Sequence, residues 1–247
     1  MQNPTPTELF QLLDLTSLNP SDSKKDIKAL AQFAIAQSEQ GFSASAICVH
    51  SSFADFIATL LETTEINAAV VAGAFPHGQA NIQVKALEVL RAFEDGVDEI
   101  DIVMNHGLLN SNQMNQLEDE LYTMREAAGN IYLKTIIESG ELKTKKRIKK
   151  ASEIALVCGA DFIKTSTGKS SIGATPDAVK IMCETIAEFY QQKGEKRGIK
   201  VSGGIKTYED ALVYYNIVRE TLGTAWLNKD FFRIGASSLA LDLIKMQ

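Results

Sequence analysis

Four charged residues interrupt apolar runs that otherwise resemble buried strands. Asp101 lies in Glu-Ile-Asp-Ile-Val, Lys134 in Tyr-Leu-Lys-Thr-Ile, Lys164 in Asp-Phe-Ile-Lys-Thr and Lys200 in Gly-Ile-Lys-Val-Ser. Because strand residues alternate between two faces, the apolar neighbours predict one face packed against helices and the charged residues on the other. Lysine is rarely buried without a partner, since an unpaired buried charge is costly. With Glu138 just beyond Lys134, these residues predict a polar cluster that stability alone would not favour.

Paired lysines beside a carboxylate suit the chemistry of a class I aldolase. A lysine with the ordinary pKa of ~10.4 is only about 0.04% neutral at pH 7, but a neighbouring ammonium and partial desolvation can lower that pKa by roughly three units. The neutral amine attacks a carbonyl and forms a Schiff base, which draws electrons from the adjacent carbon–carbon bond, while a carboxylate moves protons directly or through water. Lys134, Lys164 and Lys200 each remain open as the nucleophile at this point. The alternative is structural, namely ion pairs or a lysine that reaches solvent from a strand end.

These residues need a scaffold, and the sequence alternates short apolar runs with longer amphipathic stretches. The runs predict eight strands: Leu13–Leu18, Ala44–Val49, Ala68–Gly73, Glu99–Met104, Ile131–Ile137, Asp161–Ser166, Gly198–Gly204 and Phe232–Ser237. The stretches between them predict helices such as Ser23–Gln40, Ile82–Asp95, Gln113–Ala128, Lys143–Cys158, Pro176–Gln191 and Tyr208–Leu222. Eight such units in 247 residues favour an α/β fold, a (β/α)8 TIM barrel, over an open doubly wound sheet. Without any linker or shift in composition, residues 1–247 are expected to form a single domain.

Three turns rich in glycine and serine follow the last three strands. They are Thr165-Ser166-Thr167-Gly168-Lys169, Ser202-Gly203-Gly204 and Gly235-Ala236-Ser237-Ser238. Glycine lets backbone N–H groups approach an anion, and barrel enzymes commonly bind phosphate with the loops after strands 7 and 8 and a nearby helix N terminus. Ser237 and Ser238 can donate hydrogen bonds, and Lys169 and Lys206 add positive charge. The turns therefore predict a phosphate cradle, against the alternative that these glycines only end strands.

Composition and motifs exclude several other classes of protein. The net charge of −6 argues against a nucleic-acid surface, and the longest apolar stretch, Ile66 to Phe75, is about half of what a membrane helix needs. His50, His77 and His106 lack the spacing of metal ligands, so neither a metal nor a cofactor is expected. Thr167-Gly168-Lys169-Ser170 lacks the upstream glycine of a nucleotide-binding P-loop. With no apolar signal segment near the N terminus, we expect a cytoplasmic protein.

The strand ends, taken in order, resemble those of the deoxyribose-phosphate aldolases. The most specific stretch is Ala160-Asp161-Phe162-Ile163-Lys164-Thr165-Ser166-Thr167-Gly168-Lys169. Six further stretches support it: Asp14-Leu15-Thr16, Phe75-Pro76-His77-Gly78, Glu99-Ile100-Asp101-Ile102-Val103, Ile136-Ile137-Glu138-Ser139-Gly140-Glu141-Leu142, Ile199-Lys200-Val201-Ser202-Gly203-Gly204-Ile205 and Phe232-Arg233-Ile234-Gly235-Ala236-Ser237-Ser238. The resemblance runs through nearly the whole chain.

The resemblance implies reversible, metal-free cleavage of 2-deoxy-D-ribose 5-phosphate to D-glyceraldehyde 3-phosphate and acetaldehyde. It implies that Lys164 forms the Schiff base, that Asp101 transfers protons and that Lys200 perturbs Lys164. The substrate, a small sugar phosphate, would lie against Thr16, Gly168, Lys169, Gly203, Gly204, Gly235, Ser237 and Ser238. It also implies a place in deoxyribonucleotide and carbohydrate catabolism.

Two positions depart from the family pattern. Members often carry a C-terminal tyrosine that helps protonate the enamine, where this sequence has Met246-Gln247. Lys206 stands where an arginine is frequent, so it would meet a phosphate as a point charge rather than a bidentate fork.

Two alternative functions remain beside this aldolase. One is another Schiff-base enzyme, a transaldolase or a different sugar-phosphate lyase. The other is a non-catalytic barrel that binds sugar phosphates, although binding alone would not select Asp101, Lys164 and Lys200 together. The sequence does not determine the oligomeric state, so a homo-oligomer also stays open.

Overall fold

A computed structural model describes residues 3–246 and shows eight parallel strands closed into a barrel. The strands are β1 (Leu13–Thr16), β2 (Ala46–His50), β3 (Asn67–Ala72), β4 (Glu99–Val103), β5 (Tyr132–Ile136), β6 (Phe162–Lys164), β7 (Gly198–Ser202) and β8 (Phe232–Ala236). They pair in chain order, and β8 closes on β1. The predicted (β/α)8 barrel is confirmed. The predicted domain also includes Met1, Gln2 and Gln247, which lie outside the described residues.

Helices accompany the strands along the chain. They are α1 (Pro6–Phe10), α2 (Lys24–Glu39), α3 (Ala54–Leu61), α4 (Ile82–Glu94), α5 (His106–Asn110), α6 (Met114–Ala127), α7 (Ser139–Leu142), α8 (Lys145–Val157), α9 (Pro176–Lys193), α10 (Tyr208–Leu222) and α11 (Leu239–Ile244). Two short 3₁₀ helices, Ser51–Phe53 and Thr224–Trp226, follow β2 and α10. Within residues 3–246, no helix is both long enough and apolar enough to cross a membrane.

The alternation of strand residues separates an apolar shell from a charged interior. In β4, Ile100 and Ile102 belong to the large apolar core, whereas Glu99 and Asp101 are buried charged residues. A much smaller apolar cluster, which includes Cys48, is separate from that core. The barrel thus packs hydrocarbon against its helices and holds the charged residues, together with a few apolar ones, inside, in agreement with the strand pattern.

Local capping fixes where several helices begin and end. The Thr175 hydroxyl accepts a hydrogen bond from the Ala178 N–H at 3.3 Å, with Pro176 as the first residue of α9. Gly41 and Gly159 follow α2 and α8 with φ of 92° and 88°, the left-handed conformation that favours glycine at a helix end. These three predicted caps are confirmed.

The structure corrects two predicted boundaries near the barrel mouth. Strand β6 ends at Lys164 rather than Ser166, because Thr165 and Ser166 turn their hydroxyls to the carbonyl of Ser202 at 3.1 and 2.6 Å. The predicted helix Lys143–Cys158 corresponds to α8, which begins two residues later at Lys145, and a short helix that was not predicted, α7, precedes it. Lys143 separates them in a left-handed conformation with φ of 59°.

Candidate active site

Strand register places the predicted charged residues side by side. Asp101 on β4 pairs with Lys134 on β5, and Lys164 on β6 pairs with Lys200 on β7. Asp101 is the centre of the group: its Oδ1 accepts a hydrogen bond from Lys134 at 2.9 Å, and its Oδ2 accepts one each from Lys164 and Lys200 at 2.7 Å. The structure therefore brings together the four charged strand residues of the predicted cluster.

Three further charged residues, which the sequence analysis did not include in the cluster, extend this network inside the barrel. Arg233 on β8 donates to Asp14 on β1 and to Glu99 on β4, each at 2.7 Å. Asp14 also lies 2.5 Å from the Lys200 ammonium, and Glu99 forms an ion pair with Lys134. All three are 1% exposed or less, so their charges are balanced by one another rather than by water.

Burial and ion pairing act in opposite directions on these carboxyl groups, and ion pairing prevails. Burial raises the pKa of Asp101, but Lys134, Lys164 and Lys200 outweigh it and hold the pKa well below its usual value. Burial likewise raises the pKa of Asp14, but its cationic neighbours, Lys200 foremost, hold the value below the ordinary one. Both side chains are therefore carboxylates at neutral pH.

For the lysines, burial lowers the pKa and ion pairing raises it, and ion pairing again prevails. Burial lowers the pKa of Lys200, but Asp101 and Asp14 raise it above the usual value; for Lys134, Asp101 and Glu99 do the same. Both side chains are consequently ammonium ions at neutral pH, and neither serves as a ready nucleophile. If every ionisable group of the network were charged, three carboxylates would face four cations. One positive charge would then have no counter-charge within the network.

Lys164 differs from the other two barrel lysines in its contacts and its access. Among residues 3–246, its only carboxylate contact is Asp101, on the oxygen that Lys200 shares, whereas Lys200 and Lys134 each contact more than one carboxylate. Of these three lysines, Lys164 is the one that lines a cavity of about 290 Å³ at the barrel mouth. This geometry makes Lys164 the lysine best placed to meet a ligand.

All eight residues predicted to bind substrate line that same cavity. They are Thr16, Gly168, Lys169, Gly203, Gly204, Gly235, Ser237 and Ser238. Lys206 lines it as well. Asp101 and Lys200, by contrast, are fully buried and are not among the residues that line the cavity. The site thus has two levels, a charged interior and a polar mouth, which meet at Lys164.

Two other predicted features lie apart from the cluster. Glu138 does not join the lysines; its carboxylate accepts hydrogen bonds from Thr167 and Ser170 in the loop after β6. His106 contacts the carbonyl of Ile137 at 2.9 Å. No group of three or more metal-ligating side chains is arranged for a metal ion in the part of the chain that the structure describes.

The missed residues Asp14, Glu99 and Arg233 carried a signal in the sequence. Asp14 stands between leucines in Leu-Leu-Asp-Leu-Thr, and Arg233 stands between apolar residues in Phe-Phe-Arg-Ile. Glu99 is two residues before Asp101 and therefore on the same face of β4. A charge within an apolar run, the criterion met by strands 4 to 7, would also have found Asp14 on β1 and Arg233 on β8.

A closed barrel with ionisable side chains in its interior, and with Lys164 at the carboxyl end of β6 lining a polar cavity, defines the class to which this protein belongs, the (β/α)8-barrel enzymes. A family model described as "DeoC/LacD family aldolase" matches residues 9–229. The chain belongs to this family, and it is an aldolase. The resemblance predicted from the strand ends is confirmed.

Individual proteins of known name match this chain over most of their own length. A protein of Caenorhabditis elegans is 38% identical over 242 residues, which are 96% of this chain and 80% of that protein. The human deoxyribose-phosphate aldolase is 37% identical over 244 residues, which are 94% of this chain and 77% of that protein. The deoxyribose phosphate aldolase of Aeropyrum pernix, described as having a unique tetrameric structure, superposes with a TM-score of 0.75. Its sequence is 26% identical, and the match covers 98% of this chain and 91% of that one.

Proposed function

We propose that this aldolase reversibly cleaves 2-deoxy-D-ribose 5-phosphate to D-glyceraldehyde 3-phosphate and acetaldehyde through a Schiff base on Lys164. The observation that carries the proposal is the position of Lys164, which touches Asp101 below and lines the polar cavity above. The names of the human and Aeropyrum pernix relatives support the same substrate.

The covalent step begins at the C1 aldehyde of the open-chain sugar. The Lys164 amine adds to C1, and loss of water gives a cationic imine. The C3 hydroxyl then loses its proton, the C2–C3 bond breaks, and its electron pair moves toward the imine nitrogen to form an enamine. D-Glyceraldehyde 3-phosphate leaves, C2 takes up a proton, and hydrolysis of the imine releases acetaldehyde and restores the Lys164 amine.

Asp101 and Lys200 serve this step from beneath the cavity. Lys164 and Lys200 each donate a hydrogen bond to the same oxygen, Asp101 Oδ2, at 2.7 Å, so the Lys200 ammonium lies beside Lys164 and disfavours a second positive charge there. Asp101, held as a carboxylate, transfers protons through water between the reacting atoms.

The phosphate end of the substrate binds at the polar mouth. Gly203, Gly204 and Gly235 bring backbone to the cavity wall, and Ser237 and Ser238 add hydroxyl groups. Lys169 and Lys206 supply positive charge from exposed positions that water screens. No metal or cofactor takes part in this proposal.

A direct assay separates this proposal from its alternatives. The wild-type enzyme should release acetaldehyde from 2-deoxy-D-ribose 5-phosphate, and Lys164→Leu should release none at any pH. If acetaldehyde is not a product or a donor but a longer ketone unit is transferred, the protein is a transaldolase or another sugar-phosphate lyase. If the wild type binds the sugar phosphate without turnover, the barrel is a binding protein.

The cellular setting is part of the proposal. We propose a cytoplasmic enzyme of deoxyribonucleotide and carbohydrate catabolism that acts on a small molecule and needs no nucleic acid or membrane partner. The tetrameric structure described for the Aeropyrum pernix relative supports a homo-oligomer. Light scattering on the purified chain would give the number of subunits.

A further inference from the structure

Glu138 occupies an unusual backbone position directly after β5. Its φ of 44° and ψ of 61° are left-handed, although it is not a glycine. Its side chain is buried, with the residue 5% exposed, yet it lies apart from the lysine cluster. Such a conformation persists only where the surroundings determine it, and it is often found at functional sites.

The Glu138 carboxylate holds the loop that follows β6. Oε2 accepts hydrogen bonds from the Thr167 backbone N–H at 3.2 Å and from the Thr167 hydroxyl at 2.5 Å, and Oε1 accepts one from the Ser170 hydroxyl at 2.9 Å. The Thr167 hydroxyl oxygen in turn accepts the Lys169 backbone N–H at 3.1 Å. These bonds connect Glu138 to both sides of Gly168 in the cavity wall.

Close backbone contacts confine the rest of this loop. A Cβ atom placed on Gly140 would lie 2.4 Å from the Ile172 carbonyl oxygen. A Cβ atom placed on Gly173 would lie 2.4 Å from the carbonyl oxygen of Gly203, which also lines the cavity. The loop after β6 therefore fits between the turns after β5 and β7. Glu138 holds the segment from Thr167 to Ser170, which neither glycine contact reaches.

We propose that Glu138 is a positioning residue for the phosphate end of the substrate. It acts through Thr167 and Ser170, which hold Gly168 and Lys169 in place at the cavity. This inference rests on the proposed function, because it assumes that a phosphate binds at the polar mouth. It adds a residue that does not itself line the cavity.

The sign of the effect distinguishes positioning from simple electrostatics. A glutamate near a phosphate weakens binding through repulsion, so a neutral residue should strengthen binding if charge alone mattered. Glutamine, however, has one acceptor oxygen and an NH₂ group for a site that presents three donors. Positioning therefore predicts that Glu138→Gln weakens phosphate binding despite the loss of negative charge.

The experiment compares the wild type with Glu138→Gln and with Glu141→Gln, an exposed neighbour that undergoes the same change in charge. For each, we would measure kcat and KM with 2-deoxy-D-ribose 5-phosphate and kcat/KM with unphosphorylated 2-deoxyribose. The inhibition constant of inorganic phosphate would be measured against the unphosphorylated sugar. In Glu138→Gln, KM and the phosphate inhibition constant should rise about tenfold, while kcat/KM for 2-deoxyribose changes less than twofold. Glu141→Gln should match the wild type.

A second variant covers the case in which Glu138→Gln does not fold. Ser170→Ala removes one of the three donors and should raise both constants in the same direction by a smaller factor. An unchanged or lower KM in the folded variants, or an equal loss with both sugars, would overturn the positioning role. A wild type that inorganic phosphate does not inhibit would instead overturn the phosphate site, and the positioning role with it.

Discussion

Replacing Lys200 by methionine removes one cation from beside Lys164 while keeping a side chain of similar length. In the wild type, Asp101 and Asp14 hold Lys200 as an ammonium, since their charges outweigh the effect of burial on its pKa. The permanent charge makes a second ammonium at Lys164 unfavourable. In Lys200→Met, the Asp101 carboxylate would instead stabilise an ammonium at Lys164, and the reactive amine would become scarce.

The size of the effect follows from the shared carboxylate oxygen. Lys164 and Lys200 each lie 2.7 Å from Asp101 Oδ2, so their nitrogens are no more than twice that distance apart. At ~5 Å and an effective dielectric constant of ~20, two unit charges repel by about 3 kcal/mol. That repulsion corresponds to a factor of roughly 10² in the ratio of amine to ammonium. Both side chains are buried, so water screens little of this interaction.

The assay is borohydride trapping of the Schiff base with acetaldehyde over a range of pH. For Lys200→Met, the trapping rate at neutral pH should fall by about 10²-fold, and the pH of half-maximal trapping should rise by about two units. Lys200→Arg is the matched control, because it keeps the charge, and it should retain most of the trapping at neutral pH. Thermal unfolding of each variant would show that the barrel remains folded.

Unchanged trapping by Lys200→Met at neutral pH would refute the electrostatic argument. Lys200 would then act in substrate binding or proton transfer alone. Equal losses in Lys200→Met and Lys200→Arg, at every pH, would also contradict it, since the charge would not be the property that matters.

Two further variants test the mouth and the interior of the barrel. Ser238→Asp should raise KM for 2-deoxy-D-ribose 5-phosphate by about tenfold through repulsion of the phosphate, with activity on 2-deoxyribose retained; equal losses on both sugars would mean that Ser238 is structural. Asp14→Asn should lower the free energy of unfolding at pH 7 by about 3–5 kcal/mol, because it leaves Lys200 and Arg233 with fewer counter-charges. Because the folded-state pKa of Asp14 lies below its usual 3.8, its contribution is present above that pH and is lost as the pH falls toward the folded value. In denaturant titrations, the difference between wild type and variant should therefore begin to shrink below about pH 4 and narrow steadily as the pH falls further; a difference independent of pH would contradict this role.

The sequence predicted the barrel well because its signals repeat eight times. Each strand buries an apolar face against helices, so a short β-branched run and a following amphipathic stretch recur at regular spacing. Short helices could not be predicted in the same way. The five residues of α5, for example, span too little chain to show a helical period.

The site was predicted only in part, and the reasons lie in particular residues. Asp101, Lys164 and Lys200 were recognised because charge within an apolar strand is costly without partners. The partners Asp14 and Arg233 come from β1 and β8, which are adjacent only once the barrel closes. Glu138 was expected with the lysines, but the left-handed backbone there directs its carboxylate to the loop after β6. That contact depends on tertiary structure, which a strand pattern does not contain.

Identifying the lysine that carries the substrate tests the proposed Schiff base on Lys164 at the bond itself. Wild-type enzyme, acetaldehyde and borohydride should yield one ethylated lysine, which trypsin no longer cleaves. Ethylation of Lys164 would leave residues 151–169 as one peptide, whereas ethylation of Lys134 would leave residues 126–143 and ethylation of Lys200 residues 198–206. If Lys164 is the nucleophile, the adduct is on the peptide 151–169; an adduct on either of the other two peptides would show that a different lysine forms the Schiff base.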